Sequence, residues 1–120
     1  MAGTLTIDTL KDGLGNSTSS TNCIQGSAKA WVNYKGTATR AINSSYNVSS
    51  VTFNSTGNYT VNFTNALVDA NFSVVVSASD ATYSYAAGSI ATTSSTTRVV
   101  SQIYTGSGTD VPFISVAVFR

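Results

Sequence analysis

From Asn58 to Thr64 the chain reads NYTVNFT, an alternation without a break. Tyr59, Val61 and Phe63 fall on one side of it, and Asn58, Thr60, Asn62 and Thr64 on the other. Successive side chains of an extended chain point to opposite faces, so this segment is a strand with one face in a core and one in water. Its wet face is built from Asn and Thr rather than from charges. That choice accounts for the Asn-x-Ser/Thr triplets starting at Asn16, Asn43, Asn47, Asn54, Asn58, Asn62 and Asn71. A neutral polar ladder with aromatic or branched residues between its members generates such triplets as a by-product. We read them that way rather than as glycan acceptors.

The same economy of charge runs through the whole chain. Charged residues make up 9% of the 120, against about 25% in an average soluble domain. His and Glu are absent. Strong helix formers are scarce, while Thr, Val, Ile, Tyr and Phe favour pleated, half-buried surfaces. The expected class is all-β. A chain of this length builds one modest core and no deep cleft between domains.

Residues 1–25 hold one or two short strands, with Leu5 and Ile7 alternating in TLTIDTL before the turn-rich KDGLGNSTSSTN. They carry too few apolar groups for a core of their own, so we expect an arm pinned against a partner. Residues 26–120 are the expected knob. In AKAWVNY, Ala28, Ala30, Val32 and Tyr34 share one face and Trp31 takes the other. The parity change at Ser49-Ser50 predicts a β-bulge, and NSTGN (Asn54–Asn58) predicts a hairpin turn. Val74, Val75 and Val76 in a row predict a central strand buried on both faces. Residues 80–97 read as irregular strands joined by exposed loop. RVVSQIYT and VPFISVAVF, on either side of GSGTD, read as a closing hairpin. Strands about ten residues apart with turn signals between them fit an antiparallel sandwich or small barrel, and the β-sandwich is the expectation carried forward.

Catalysis is not expected. The usual general bases are missing, and Asp8, Asp12, Asp69, Asp80 and Asp110 stand apart, mostly in turns. Neither metal-ligand spacing nor a phosphate-cradling loop is present, so no cofactor or metal is expected. Lys11, Lys29, Lys35, Arg40, Arg98 and Arg120 are scattered and form no basic patch, which argues against nucleic acid. No apolar run approaches the length of a membrane span, so membrane insertion is not expected. Cys23 is the single cysteine, and a small buried or half-buried apolar role is expected for it.

The run from Ala28 to Val76 resembles a module of virion-fibre and tail-fibre proteins of tailed bacteriophages, including marine and cyanobacterial ones. The resemblance rests on KAWVNYKG (Lys29–Gly36), SYNVSS (Ser45–Ser50), TGNYTVNFT (Thr56–Thr64) and LVDANF (Leu67–Phe72). The opening MAGTLTIDTLKDGLGNST and the ending PFISVAVFR are similar to the ends of small fibre proteins of that kind. Leu67-Val68 stands where Met-Pro is common, which puts the shape of that connection in question, and Ser27 stands where Cys is frequent. The resemblance implies a homotrimer with an N-terminal arm attached to another virion protein and a distal C-terminal knob. Three chains wound together would cover Leu5, Ile7 and Leu10, which one chain cannot. Trp31, Tyr34, Tyr59 and Phe63 would be core or interface residues. The opening residues lack the apolar stretch of a secretory signal. The expected location is therefore the virion, assembled in the host cytoplasm.

Residues 80–105 fall outside the resemblance, and specificity tends to sit on loops held by a rigid scaffold. Tyr83, Tyr85 and Tyr104 are accordingly the candidate aromatic faces, and Asp110 a candidate hydrogen-bonding group, for a host-surface glycan or other envelope component. The plain alternative for the tyrosines is that they pack inward or between subunits. Two further readings stand beside this one: a purely structural decoration or adaptor fibre of the virion, and a secreted carbohydrate-binding sandwich.

Overall fold

A computed structural model describes residues 2–120, with Ala91 by its backbone alone; Met1, the first residue of the expected arm, lies outside the described residues. Two short strands, β1 (Thr9–Lys11) and β2 (Ser17–Ser19), pair antiparallel and lead into the helix α1 (Ser20–Gly26). Then follow β3 (Ala28–Lys35), β4 (Ala41–Tyr46), β5 (Val48–Ser55), β6 (Asn58–Phe63), β7 (Ser73–Ser79), β8 (Ser84–Thr93), β9 (Thr96–Gln102) and β10 (Phe113–Phe119). These eight form one antiparallel sheet in the order β4-β3-β10-β7-β8-β9-β6-β5. The all-β expectation holds.

The sheet is rolled nearly into a barrel. Its two edge strands, β4 and β5, are consecutive in the chain and joined through Asn47 alone. Asn47 has φ 53°, a left-handed conformation that Asn tolerates better than most residues. Its Nδ2 donates to the carbonyls of Lys29 and Asn65 at 3.1 Å each, and its Oδ1 accepts from the Asn65 amide at 2.8 Å. One side chain thus ties the start of β3 to the loop after β6. Opposite this closure the roll folds at β8, which meets β7 only at Ala78↔Tyr85 and Ser79↔Ser84 before running on beside β9.

The core lies inside the roll. Alternation along β3, β6 and β10 turns Val32, Tyr34, Tyr59, Val61, Ile114 and Val116 inward, each 3% exposed or less. Tyr34 and Tyr59 meet edge to face at 5.4 Å between ring centres. Phe63 packs on Phe72 in the same manner at 5.8 Å. The bulge expected near Ser49-Ser50 appears as a register shift between Val48 and Ser50. The turn expected at NSTGN lies between β5 and β6, with Gly57 at φ 66°. A Cβ on Gly57 would collide with the backbone at Ser101 and Thr109, so that hairpin tip is seated against the segment leading to β10.

Several expectations are corrected. Residues 20–26 form a helix because Ser19 caps it, its Oγ accepting from the Asn22 amide at 3.2 Å. Cys23 on that helix is exposed. The closing hairpin does not form: β9 pairs with β6 and β8, while β10 pairs with β3 and β7. Residues 103–108 instead turn back on themselves, Ile103 N–H donating to Ser107 and Gly106 N–H to Ile103, and the chain then crosses one end of the roll. Most of residues 80–97 is regular: β8 is a ten-residue strand that turns at Ser94-Ser95 into β9. β7 is central in the sheet but buried on one face only, leaving Val75 61% exposed. Trp31 lies on the outer face, 38% exposed, and is not a core residue of the single chain. Tyr34, Tyr59 and Phe63 are.

Residues 2–27 contribute no buried side chain. The radius of gyration, 16.8 Å, exceeds the roughly 14 Å of a compact chain of this length. The extents are 48 × 31 × 24 Å.

Candidate binding site

Strand register places the ends of the roll. Ala28 at the start of β3 pairs with Phe119, which pairs with Ser73, so the N-terminal 27 residues enter at that end. At the other end Tyr34 pairs with Ile114, Ile114 with Ala78, Ala78 with Tyr85, and the neighbouring Ala86 with Gln102. The tyrosines singled out in the sequence gather there. Tyr83, Tyr85 and Tyr104 line one open cleft of about 440 Å³, together with Ser84, Ala86, Gln102 and Ile103.

Asp80 sets the first two rings. Its Oδ1 accepts from the amides of Thr82 at 2.6 Å and Tyr83 at 2.7 Å, an Asp-led turn that fixes where β8 starts. Its Oδ2 accepts from the Tyr85 hydroxyl at 2.6 Å. The hydrogen bond from Tyr85, reinforced by the two amides, holds the Asp80 carboxyl below the usual carboxylate range. The same bond raises the Tyr85 phenol. Tyr85 is thus a fixed wall, its proton committed to Asp80. Tyr83 and Tyr104 are free: they are 67% and 98% exposed, and neither hydroxyl has a hydrogen-bond partner among the described residues. Gln102, half-buried in the same cleft, adds an amide that both donates and accepts. Sequence reasoning missed Gln102 and Ile103. No local signal marked them: Arg98–Gln102 reads RVVSQ, with two valines side by side, and the turn after Gln102 is made by backbone bonds among Ile103, Gly106 and Ser107.

Asp110 is not part of this cleft. Its Oδ1 accepts from the Tyr59 hydroxyl at 2.5 Å and the Gly57 amide at 2.8 Å, and its Oδ2 takes Arg40 at 3.1 Å. With both oxygens engaged it braces the crossing segment against the β5–β6 turn. Of the residues expected to meet partners through the arm, Leu5 is 81% and Leu10 51% exposed, and Ile7 is the best covered at 36%.

Such a cleft offers flat apolar faces edged by hydroxyls and one amide. It suits a ring with an apolar face and peripheral hydroxyls, and it presents no charge of its own. No group of His, Cys, Asp and Glu able to hold a metal ion occurs among the described residues. Comparison with known proteins finds no matching family model, no matching curated protein and no matching solved structure.

Proposed function

We propose that the chain is a small homotrimeric virion fibre protein, with residues 1–25 as its attachment arm and residues 26–120 as a sandwich-like knob that binds a host-surface glycan at Tyr83, Tyr85 and Tyr104. The observation that carries this reading is the polarity of the molecule. The segment with uncovered Leu5, Leu10 and Leu14 enters at one end of the roll, and the tyrosine cleft opens at the other. An adhesin anchored by its N-terminus needs that order. The resemblance of Ala28–Val76 to fibre modules supports the same reading.

The test has two parts. Light scattering of the full chain should give three times the chain mass; a single-chain mass removes the fibre reading. The trimer should then bind intact cells or extracted surface polysaccharide of a bacterial panel. Replacing Tyr83 and Tyr104 with Ala should reduce that binding at least tenfold and leave the thermal midpoint unchanged, because neither side chain packs in the core.

One observation favours a second reading, a decoration fibre without a receptor. Across the outer face, Tyr46 pairs with Trp31, Trp31 with Ala117 and Ala117 with Val75, an apolar row that a single chain leaves in water. A trimer that binds another virion protein, and whose binding to that protein Tyr83 and Tyr104 do not influence, would favour it if no cell or polysaccharide is bound.

A further inference from the structure

Asp80 stands behind the tyrosine cleft with its charge fixed in place. Its Oδ2 is 2.6 Å from the hydroxyl of Tyr85, a wall of the cleft. Its Oδ1 takes the Thr82 and Tyr83 amides, and its own amide donates to the Tyr83 carbonyl at 3.0 Å, so the turn is closed in both directions. Those bonds to its oxygens keep the carboxyl ionised at neutral pH. No cation offsets it. Asp80 has no salt-bridge partner among the described residues, and neither Lys nor Arg lines the cleft. Arg98 precedes Gln102 by four residues on β9, about 13 Å along the strand, and its Nε is bonded to Asn58. Lys35 ends β3, three strands from β8 in the sheet, and Arg40 is paired with Asp110. Lys29 and Arg120 lie at the other end of the roll. Salt screens exposed charges beyond about 8–10 Å, so the charge that reaches the cleft is that of Asp80.

Gln102 adds a second element of selection. It is the last residue of β9, and its backbone pairs with Ala86 on one side and bridges to Gly108 on the other, so its half-buried side chain rises from a fixed backbone. The side-chain amide lines the cleft and has no hydrogen-bond partner among the described residues. An amide sets an acceptor beside a donor, which matches two neighbouring alcohols, one giving a proton and one accepting. A carboxylate only accepts, so it satisfies the N–H side of the amide and opposes the carbonyl side. The free hydroxyls of Tyr83 and Tyr104 serve an alcohol and a carboxylate alike. The Asp80 charge and the Gln102 amide therefore decide between them, and both favour the neutral ring.

We propose that the cleft selects uncharged sugar rings, with Gln102 reading two adjacent hydroxyls of a ring held against Tyr83 and Tyr104, and Asp80 acting across Tyr85 to turn away sugars that carry a carboxylate. This inference rests on the glycan-binding reading and narrows it to a chemical class. It does not rest on the trimer, because every residue of the cleft belongs to one chain.

Titration calorimetry on the full-length chain tests it. The probes are short oligosaccharides of glucose, of mannose and of galactose, and the same oligosaccharides oxidised to uronates at C6. At least one neutral probe should bind, and its uronate counterpart should bind roughly threefold to tenfold more weakly at low salt, with the gap narrowing as salt is raised. Asp80→Asn keeps an oxygen for the amides of the turn and loses the charge. It should narrow the gap to about twofold, the part left to Gln102, without weakening the neutral probe. Gln102→Leu should weaken the neutral probe about fivefold or more, the worth of one hydrogen bond, and leave the thermal midpoint unchanged. A uronate that binds as tightly as its neutral counterpart overturns the inference and leaves the glycan reading standing. So does a gap that neither salt nor Asp80→Asn alters, or neutral binding that Gln102→Leu does not weaken. If Asp80→Asn fails to fold, the salt series on the unaltered chain decides, and a gap independent of salt overturns the inference. A folded chain that binds none of the probes removes the inference and the glycan reading together.

Discussion

The Tyr59 hydroxyl donates to Asp110 Oδ1 at 2.5 Å, and the two residues lie 51 positions apart in the chain. The bond joins the start of β6 to the segment that crosses the roll before β10. The same hydroxyl lies 3.1 Å from the Gly36 carbonyl, but it has one proton, and the carboxylate at the shorter distance takes it. Asp110→Ala would leave the Gly57 amide without its acceptor and Arg40 without its partner. Tyr59→Phe leaves Asp110 with both. We expect urea unfolding to show a loss of about 2–3 kcal/mol for Asp110→Ala and about 1 kcal/mol for Tyr59→Phe. Equal losses would show that the bond to Tyr59, not the three-way brace, carries the contribution.

Acid should loosen the same brace. Burial pushes the Asp110 carboxyl up, but the Gly57 amide, the Tyr59 hydroxyl and Arg40 outweigh it and leave it below its ordinary value. The Arg120 guanidinium, at 2.7 and 2.9 Å, holds the half-buried Asp69 well below the carboxylate range, with help from the Asn71 amide. A carboxyl depressed by folding stabilises the fold above its unfolded value of about 3.9 and loses that contribution as pH falls through its folded value. Stability should therefore be flat from pH 7 to about 5 and decline below about 4. In Asp110→Asn the decline should be shallower. Urea midpoints from pH 7 to 3 measure it, and an undiminished slope would remove Asp110 from the account.

Alkali acts through the opposite sign. Burial, then the neighbouring Tyr59, raises the Tyr34 phenol, and burial, then the bond to Asp110, raises that of Tyr59. A phenol raised by folding stabilises the fold below its unfolded value of about 10 and loses that contribution as pH climbs toward the folded value. Ultraviolet titration should show these two phenols ionising only with unfolding, in a step that coincides with loss of the near-ultraviolet circular dichroism. Smooth titration of all six tyrosines in a folded protein would contradict the burial of this pair.

What the sequence disclosed followed from local pattern. Tyr59, Val61 and Phe63 turn inward because strict alternation leaves no other strand reading, and the bulge after Val48 shows as a change of parity. Pairing between strands is not local. β9 and β10 look like hairpin partners from the turn between them, yet each forms its ladders with strands from elsewhere in the chain. Val75 shows the limit of composition, since a Val triplet fits a strand buried on both faces and one buried on a single face equally well. Tyr83 and Tyr85 are set by the Asp80 turn, and Tyr104 joins them from the separate turn between Ile103 and Ser107. Asp110 was expected to offer hydrogen bonds to a ligand beside them, but its oxygens are occupied by residues 51 to 70 positions distant.

Asn47 carries two separable contributions, and substitution can divide them. Its φ of 53° favours Gly over any residue with a Cβ, while its side chain makes three hydrogen bonds that close the roll between Lys29 and Asn65. Asn47→Gly keeps the conformation and removes the bonds. Asn47→Ala removes the bonds and adds strain. We expect about 1–3 kcal/mol of destabilisation for the first and about 1 kcal/mol more for the second. The seam between β4 and β5 opens from this corner, so amide hydrogen exchange along Ser44–Tyr46 and Val48–Ser50 should accelerate in both variants before the rest of the sheet does. Uniform acceleration over all eight strands would mean that Asn47 supports the whole roll rather than the closure of its seam.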